Sequence, residues 1–245
     1  MAKRRADQLL VEQGLAESRA KAQALILAGL VSAGGRRIDK AGTPLDQDTP
    51  LALARRDHPW VSRGGLKLAS ALDHFGLDPT GCTALDIGAS TGGFTDVLLT
   101  HGAARVHAVD VGRGQLAWKL RQDPRVIVHE GVNARYLSRV EIEEPVDLIV
   151  CDASFIGLET VLPAPLSLAA ERATLVALIK PQFEAGPRQV GKGGVVRDPA
   201  VHQAVCGRIA AWLGNQPGWT VIGIAESPVL GPAGNREFLI GARRG

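Results

Sequence analysis

Two textures of apolar residues divide the chain. Up to about residue 56 the apolar positions fall first on helical spacing and then in short strand-like pieces. From Ser62 onward they gather into strand-length runs. Residues 5 to 13 keep the three-and-four interval of a helix and stop at Gly14, a residue suited to ending one. Ser18 suits an N-cap for a second helix, Ala20 to Ala28, whose apolar face is Ala22, Leu25 and Ile26 and which ends at Gly29. "LVSAGGRRI" then reads as short strands around a Gly-Gly turn, and Leu51 to Ala54 as a last strand. Pro59 in "RRDHPW" breaks regular structure. The pattern predicts a small α+β module over 1–56, a linker over 57–61 and a larger domain over 62–245.

In the larger part a helix carrying Leu66, Leu68, Leu72 and Phe75 stops at Gly76. Seven apolar runs follow: "TALDIG" (83–88), "RVHAVDV" (105–111), "RVIVHEG" (125–131), "VDLIVCD" (146–152), "TLVALIK" (174–180), "TVIGIAE" (220–226) and "EFLIGA" (237–242). Helical or loop segments separate most of them. Near-continuous apolar strands alternating with helices predict a doubly wound, mostly parallel, Rossmann-like sheet. The last two strands lack an intervening helix, which predicts an antiparallel strand at the edge. There is no internal repeat.

Composition narrows the setting. The chain of 245 residues is 45% hydrophobic and 22% charged, enough apolar material for a real core. No apolar run nears the roughly 20 residues of a membrane helix, and no signal segment opens the chain. Cys82, Cys151 and Cys206 are odd in number and scattered, which fits a reducing, cytoplasmic protein without disulfides. Net charge is only +3, but Lys3, Arg4, Arg5, Arg19, Lys21, Arg36, Arg37 and Lys40 crowd the first forty residues. Such a region suits a phosphate-rich partner, and equally a solvated helical face.

Ligands of open α/β sheets bind beyond the C-terminal strand ends. The first strand ends in "LDIGASTGGFTDVLL", with Asp86 on the strand and Gly88, Gly92 and Gly93 in a tight turn. The spacing is not the dinucleotide pattern. An acid inside the turn motif favours a ligand bearing an ammonium or sulfonium, and S-adenosylmethionine has both. Asp110, at the end of the next strand, stands where a carboxylate takes ribose hydroxyls. "GPRQVGKG" from Gly186 nearly spells a phosphate-binding loop, but Gly193 replaces the magnesium-binding Ser or Thr. It reads as a flexible loop near the site.

Four charged residues recur at element ends. Lys67 lies on the helix before the glycine turn, Asp152 and Lys180 end apolar strands, and Glu237 begins the last one. Singly, Lys67 reads as a snorkelling lysine and Glu237 as an edge-strand charge. Together with "SRAKAQALILAGLV", "WVSRGGLKL", "VDVGRGQLAWKLRQDPRV", "CDASFI", "LIKPQFE" and "GNREFL", they make the chain resemble the TlyA-type ribosomal RNA 2′-O-methyltransferases. That family joins an S4 RNA-binding domain to an FtsJ-like methyltransferase domain. "SAGGRRI" departs from the family's usual turn in the S4 part.

The resemblance implies a catalytic Lys-Asp-Lys-Glu set at Lys67, Asp152, Lys180 and Glu237. A ribose hydroxyl is a poor nucleophile until its proton leaves, and a neutral lysine amine can take that proton. Lys180 is expected to be the base, its charged form disfavoured by burial and by Lys67, with the two carboxylates orienting. Motif and resemblance together imply S-adenosylmethionine at Asp86, Gly88, Ser90, Thr91, Gly92, Asp110, Asn133, Asp152 and Phe155. Asn133 is equally a turn residue, and Phe155 equally core. Arg4, Arg5, Arg19, Lys21 and Arg63 are the expected RNA contacts. The expected partner is ribosomal RNA or a ribosomal subunit, with no membrane and no metal, acted on by a monomer or weak dimer. A cytidine of 23S rRNA is implied, and the short stretch after the last strand disfavours 16S. A non-catalytic ribosome-assembly protein and a haemolysin are the rival readings.

Overall fold

The computed structural model describes residues 3–27, 29–53 and 58–245. Ala28 and Ala54, predicted to end a helix and a strand, Arg55 and Arg56 at the end of the predicted module, and Asp57 of the predicted linker lie outside the described residues. The chain divides into two compact units, Met1–Pro59 and Trp60–Gly245.

In the first unit, helices Ala6–Glu12 and Arg19–Leu27 pack over a three-stranded antiparallel sheet of Arg36–Arg37, Val31–Ala33 and Leu51–Leu53. Leu9, Leu10, Ala22, Ile26, Val31 and Leu51 form its core. Ser18 Oγ accepts from Lys21 N (3.2 Å), the cap that the sequence suggested. A second pairing, Lys3–Arg5 with Pro44–Asp46, was not predicted. Those segments carry no apolar alternation, so periodicity gives no sign of them.

The second unit is built on a seven-stranded sheet. Its strands are β1 (Thr83–Ile87), β2 (Arg105–Asp110), β3 (Val126–Glu130), β4 (Val146–Cys151), β5 (Ala169–Ile179), β6 (Trp219–Glu226) and β7 (Phe238–Arg244). The spatial order is β6-β7-β5-β4-β1-β2-β3. The five strands from β5 to β3 are parallel; β7 runs antiparallel to both neighbours, β5 and β6. The antiparallel strand thus sits one place in from the edge, which β6 forms. The mostly parallel sheet with an antiparallel edge hairpin is the expected architecture.

Alternation along the strands divides the core between the two faces. Ile87, Ile149, Cys151, Leu175, Ala177, Ile179 and Ile240 face one layer, where Val205, Ile209 and Leu213 of helix Pro199–Gly214 pack. Ala84, Val106, Leu148, Val150, Val176, Leu178 and Leu239 face the other. That layer holds α1 (Gly64–Phe75) and α2 (Gly93–Thr100), through Leu68, Leu72, Val97 and Leu98. Trp60 and Val61, within the predicted linker stretch, are packed in this same core, and Val61 N donates to Asp96 Oδ2 at 2.8 Å.

Candidate active site

The alternation that builds the core also carries four charged side chains to one place. Asp152 continues the Leu148–Val150 face of β4, and Lys180 continues the Val176–Leu178 face of β5. Glu237 precedes Leu239 on the same face of β7. Because β7 is antiparallel, with Phe238 opposite Ile179, its start lies at the end of the sheet where β4 and β5 stop. Lys67 arrives from α1, which covers that face, beside the buried Leu68.

The result is a chain of ion pairs with alternating sign. Glu237 Oε2 accepts from Lys67 Nζ at 2.6 Å, and Lys67 Nζ lies 3.6 Å from Asp152 Oδ2. Asp152 Oδ1 lies 2.6 Å from Lys180 Nζ. Lys180 Nζ also donates to Ser154 Oγ (2.9 Å) and to the Asp152 carbonyl (3.1 Å). The side chains of Lys67, Lys180 and Glu237 are 10%, 8% and 0% exposed. Glu237 is therefore no edge-strand charge, and Lys67 is no snorkelling surface lysine. Two cations and two anions balance, which is what allows burial.

Two cavities adjoin this network and share Gly88, Ser90 and Asp152. The larger, about 480 Å³, is walled by Ile87, Val109, Val132 and Ile156, with Asp110, Gln115, Asn133 and Ser154 as its polar groups. The smaller, about 170 Å³, is bounded by Ser62, Arg63, Lys67, Thr91, Gly93 and Gly231. Lys180 is absent from the walls of both. Gly88 lies at φ +79°, and a Cβ there would meet the Ala153 backbone at 3.0 Å, so the turn and the β4 loop approach closely only with glycine.

Asp110 closes the turn: Oδ2 accepts from Ser90 N (2.8 Å) and Oδ1 from Gly112 N (2.7 Å). Each carboxylate oxygen keeps a lone pair for a ligand hydroxyl. Asn133 unites its two readings, accepting from Arg135 N at 3.1 Å as a turn cap while lining the larger cavity. Phe155 is 90% exposed at φ +65°, with its ring 5.0 Å from that of Phe183, so it is not core.

Two predicted ligand residues are placed elsewhere. Asp86 lines neither cavity. It shares the Ala84 face, is fully buried under α2, and accepts from Thr95 Oγ1 at 2.6 Å. Burial pushes its carboxyl up to about 7. Gly92 lines neither cavity either; it faces Leu116 and Leu120, while Gly93 faces the smaller cavity. The 186–193 stretch has one bridge, Gly191 to Val195, and the residues just after it are held by Asn235, whose Nδ2 donates to Gly194 O and whose Oδ1 accepts from Val196 N.

Among the expected RNA contacts, Arg5 and Arg19 are engaged within the first unit. Both donate to the buried Asp7, at 3.0 and 3.2 Å, with Gln23 as a third donor. These donors hold the Asp7 carboxyl far below the usual carboxylate range. Arg4 lies 3.9 Å from Glu12, Lys21 is exposed, and Arg63 is exposed at the smaller cavity. Ser154, Gln115 and Gly231 are site residues that sequence reasoning missed. The one signal was position: Ser154 follows Asp152 by two, within "CDASFI".

Among the described residues no helix is long and apolar enough to cross a membrane, and no cluster of three or more His, Cys, Asp or Glu is arranged to hold a metal ion.

A doubly wound sheet with an acid-capped glycine turn, a lysine–carboxylate network and two joined cavities defines a methyltransferase. Residues 60–244 match the FtsJ-like methyltransferase model, and residues 4–49 match the S4 domain. The chain is 48% identical over 245 residues to the 16S/23S rRNA (cytidine-2′-O)-methyltransferase TlyA of Mycobacterium tuberculosis, covering 99% of this chain and 91% of that one. It is 38% identical over 236 residues to Hemolysin A of Brachyspira hyodysenteriae, covering 96% and 98%. A solved structure from Streptococcus thermophilus, named as a hemolysin, superimposes with a TM-score of 0.77 at 44% identity, over 100% of this chain and 89% of that one. The chain belongs to the FtsJ-like methyltransferase family, in the group that includes TlyA and Hemolysin A.

Proposed function

We propose that the protein transfers a methyl group from S-adenosylmethionine to the 2′-oxygen of a cytidine in ribosomal RNA, in the cytoplasm. The carrying observation is the buried Lys67–Asp152–Lys180–Glu237 network at the junction of two cavities that share Asp152. The larger cavity suits a nucleoside: its walls are apolar and its few polar groups converge. Asp110 would hold ribose hydroxyls, Asn133 the adenine edge, and Gly88 with Ser90 the chain leading to the shared junction. When bound, the cofactor supplies a methyl group activated by a sulfonium.

Lys180 is the proton acceptor for the ribose hydroxyl, once its own ammonium proton has left. Lys67, reached from the smaller cavity, orients the 2′-oxygen, and Asp152 and Glu237 fix the two lysines. Positioning of this kind supplies much of the rate of a displacement reaction. RNA offers the 2′-hydroxyl that such a site needs. The N-terminal unit docks the phosphate backbone through exposed cations such as Lys21 and Arg4, and Arg63 guides the substrate strand into the smaller cavity.

The 23S molecule is the proposed target. The Mycobacterium relative's name includes 16S rRNA as well, so both are assayed. Purified full-length protein is incubated with methyl-labelled cofactor and either 50S or 30S subunits. Label in 23S rRNA with the wild type and none with Lys180→Ala is expected. Label in 16S rRNA alone overturns the proposed target, and undiminished transfer by a folded Lys180→Ala protein overturns the role of the lysine.

A further inference from the structure

Lys180 does not reach either cavity. It is 6% exposed, whereas Asp152 and Ser154, which its amine contacts, both line the larger cavity. An ammonium has three N–H donors. Here two hydrogen bonds are made, to the Asp152 carbonyl at 3.1 Å and to Ser154 Oγ at 2.9 Å, while Asp152 Oδ1 lies 2.6 Å away as the charge partner. A neutral amine has two N–H bonds and one lone pair. In the neutral form the amine can turn its lone pair to Ser154 Oγ, 2.9 Å away, while keeping an N–H on the Asp152 carbonyl. Ser154 is exposed and lines the larger cavity two residues past Asp152, the residue that this cavity shares with the smaller one, so its hydroxyl belongs to the junction where cofactor and ribose would meet. Of the groups around the Lys180 amine, its hydroxyl is the one that can accept a proton on one side while donating on the other.

The loop is held in this arrangement from behind. Leu158 N donates to Glu184 Oε1 at 2.7 Å, and Glu184 is tied to helix Pro199–Gly214 by Arg208 at 3.1 Å. Phe155, next to Ser154, adopts a left-handed φ of +65°, a conformation a bulky residue keeps only when its surroundings enforce it.

We propose that Ser154 is a catalytic proton relay between the ribose 2′-hydroxyl and Lys180, an inference that rests on Lys180 being the proton acceptor. As the ribose oxygen bonds to the methyl carbon, the carbon–sulfur bond breaks and its electron pair stays on sulfur. The ribose proton passes to Ser154 Oγ, and the Ser154 proton passes to Lys180 Nζ. Ser154 ends as a hydroxyl and Lys180 as an ammonium, so the positive charge lost from sulfur reappears on nitrogen.

The test is single-turnover methyl transfer to the ribosomal subunit by wild type, Ser154→Ala, Ser154→Thr and Lys180→Ala. Cofactor affinity is measured separately, and each rate is read in water and in heavy water. Ser154→Ala is expected to slow transfer by about 10- to 100-fold, the range of one proton-transfer contribution. Its cofactor affinity stays within about twofold, because the relay acts in the chemical step. Ser154→Thr, which keeps a hydroxyl, recovers most of the loss. The heavy-water effect shrinks in Ser154→Ala, because one proton in flight is removed. A Ser154→Ala rate equal to wild type, with Lys180→Ala inactive, overturns the relay and leaves the lysine's role intact. Equal impairment of the Ala and Thr variants also overturns it, since a hydroxyl then makes no difference. Full activity in Lys180→Ala overturns the underlying reading instead.

Discussion

Lys67→Met tests the energetics of the buried network. The substitution keeps most of the side-chain volume and removes the charge. Glu237 would then be a carboxylate with a side chain 0% exposed whose cationic partner, 2.6 Å away, is gone. Asp152 Oδ2 would lose its neighbour at 3.6 Å as well. Leaving one member of a buried ion pair uncompensated costs about 3–5 kcal/mol. Replacing both members by neutral groups costs far less, so Lys67→Met with Glu237→Gln should recover all but about 1 kcal/mol. The assay is urea unfolding followed by tryptophan fluorescence. All four tryptophans, Trp60, Trp118, Trp212 and Trp219, lie in the second unit, so the signal reports on the unit that holds the network. The midpoint should fall in the single variant with the slope unchanged, and return in the double variant. A single variant as stable as wild type, or a double variant that sums two independent losses, refutes the coupling.

Three further outcomes follow from particular contacts. Gly231→Ala places a Cβ against Glu237 Oε1 and displaces that carboxylate from Lys67, so methyl transfer should fall about 100-fold, as for other misplacements near 1 Å, with cofactor affinity kept. Asp86, pushed to about 7 by burial, keeps its proton in the folded state at pH values where the unfolded chain has lost it. The Asp86 contribution to stability of the unliganded protein should therefore be full below about pH 4, fall by roughly 4 kcal/mol in all as pH rises toward 7, and level off above; Asp86→Asn should remove that contribution from the difference between urea titrations at pH 5 and 8. Asp7→Asn weakens a buried carboxylate's hold on Arg5, Arg19 and Gln23, and amide exchange at Leu9 and Leu10 should speed up by about tenfold or more, whereas unchanged exchange would show that those donors contribute little.

The strands of the second unit were legible because each is an apolar run bounded by breakers, and six of the seven begin within one residue of where the pattern put them. The seventh, β5, begins at Ala169, five residues earlier; "AAERA" is polar enough that only pairing with β4 and β7 makes it strand. The four charged residues were legible by type and position, but their joining was not. Contact between Glu237 and Lys67 depends on β7 lying antiparallel between β5 and β6, a tertiary choice that no local pattern encodes. Asp86 was misread as a ligand contact because its place in the glycine motif drew attention. Its parity with Ala84 already put it beneath α2 rather than in the cavity. Arg5 and Arg19 looked like free cations because Asp7, which binds both, is hidden in the core of its unit. Ser154 was missed because a serine two residues past an acid is unremarkable until Lys180 is seen reaching it.

The decisive measurement is nucleoside mass spectrometry of ribosomal RNA after incubation of isolated subunits with the purified protein and S-adenosylmethionine. The wild type should produce 2′-O-methylcytidine in 23S rRNA, and the Lys180→Ala protein, folded and binding cofactor, should produce none. A methyl group found on a base, or 2′-O-methylcytidine formed equally by both proteins, would contradict the assignment of the lysine–carboxylate network to ribose methylation.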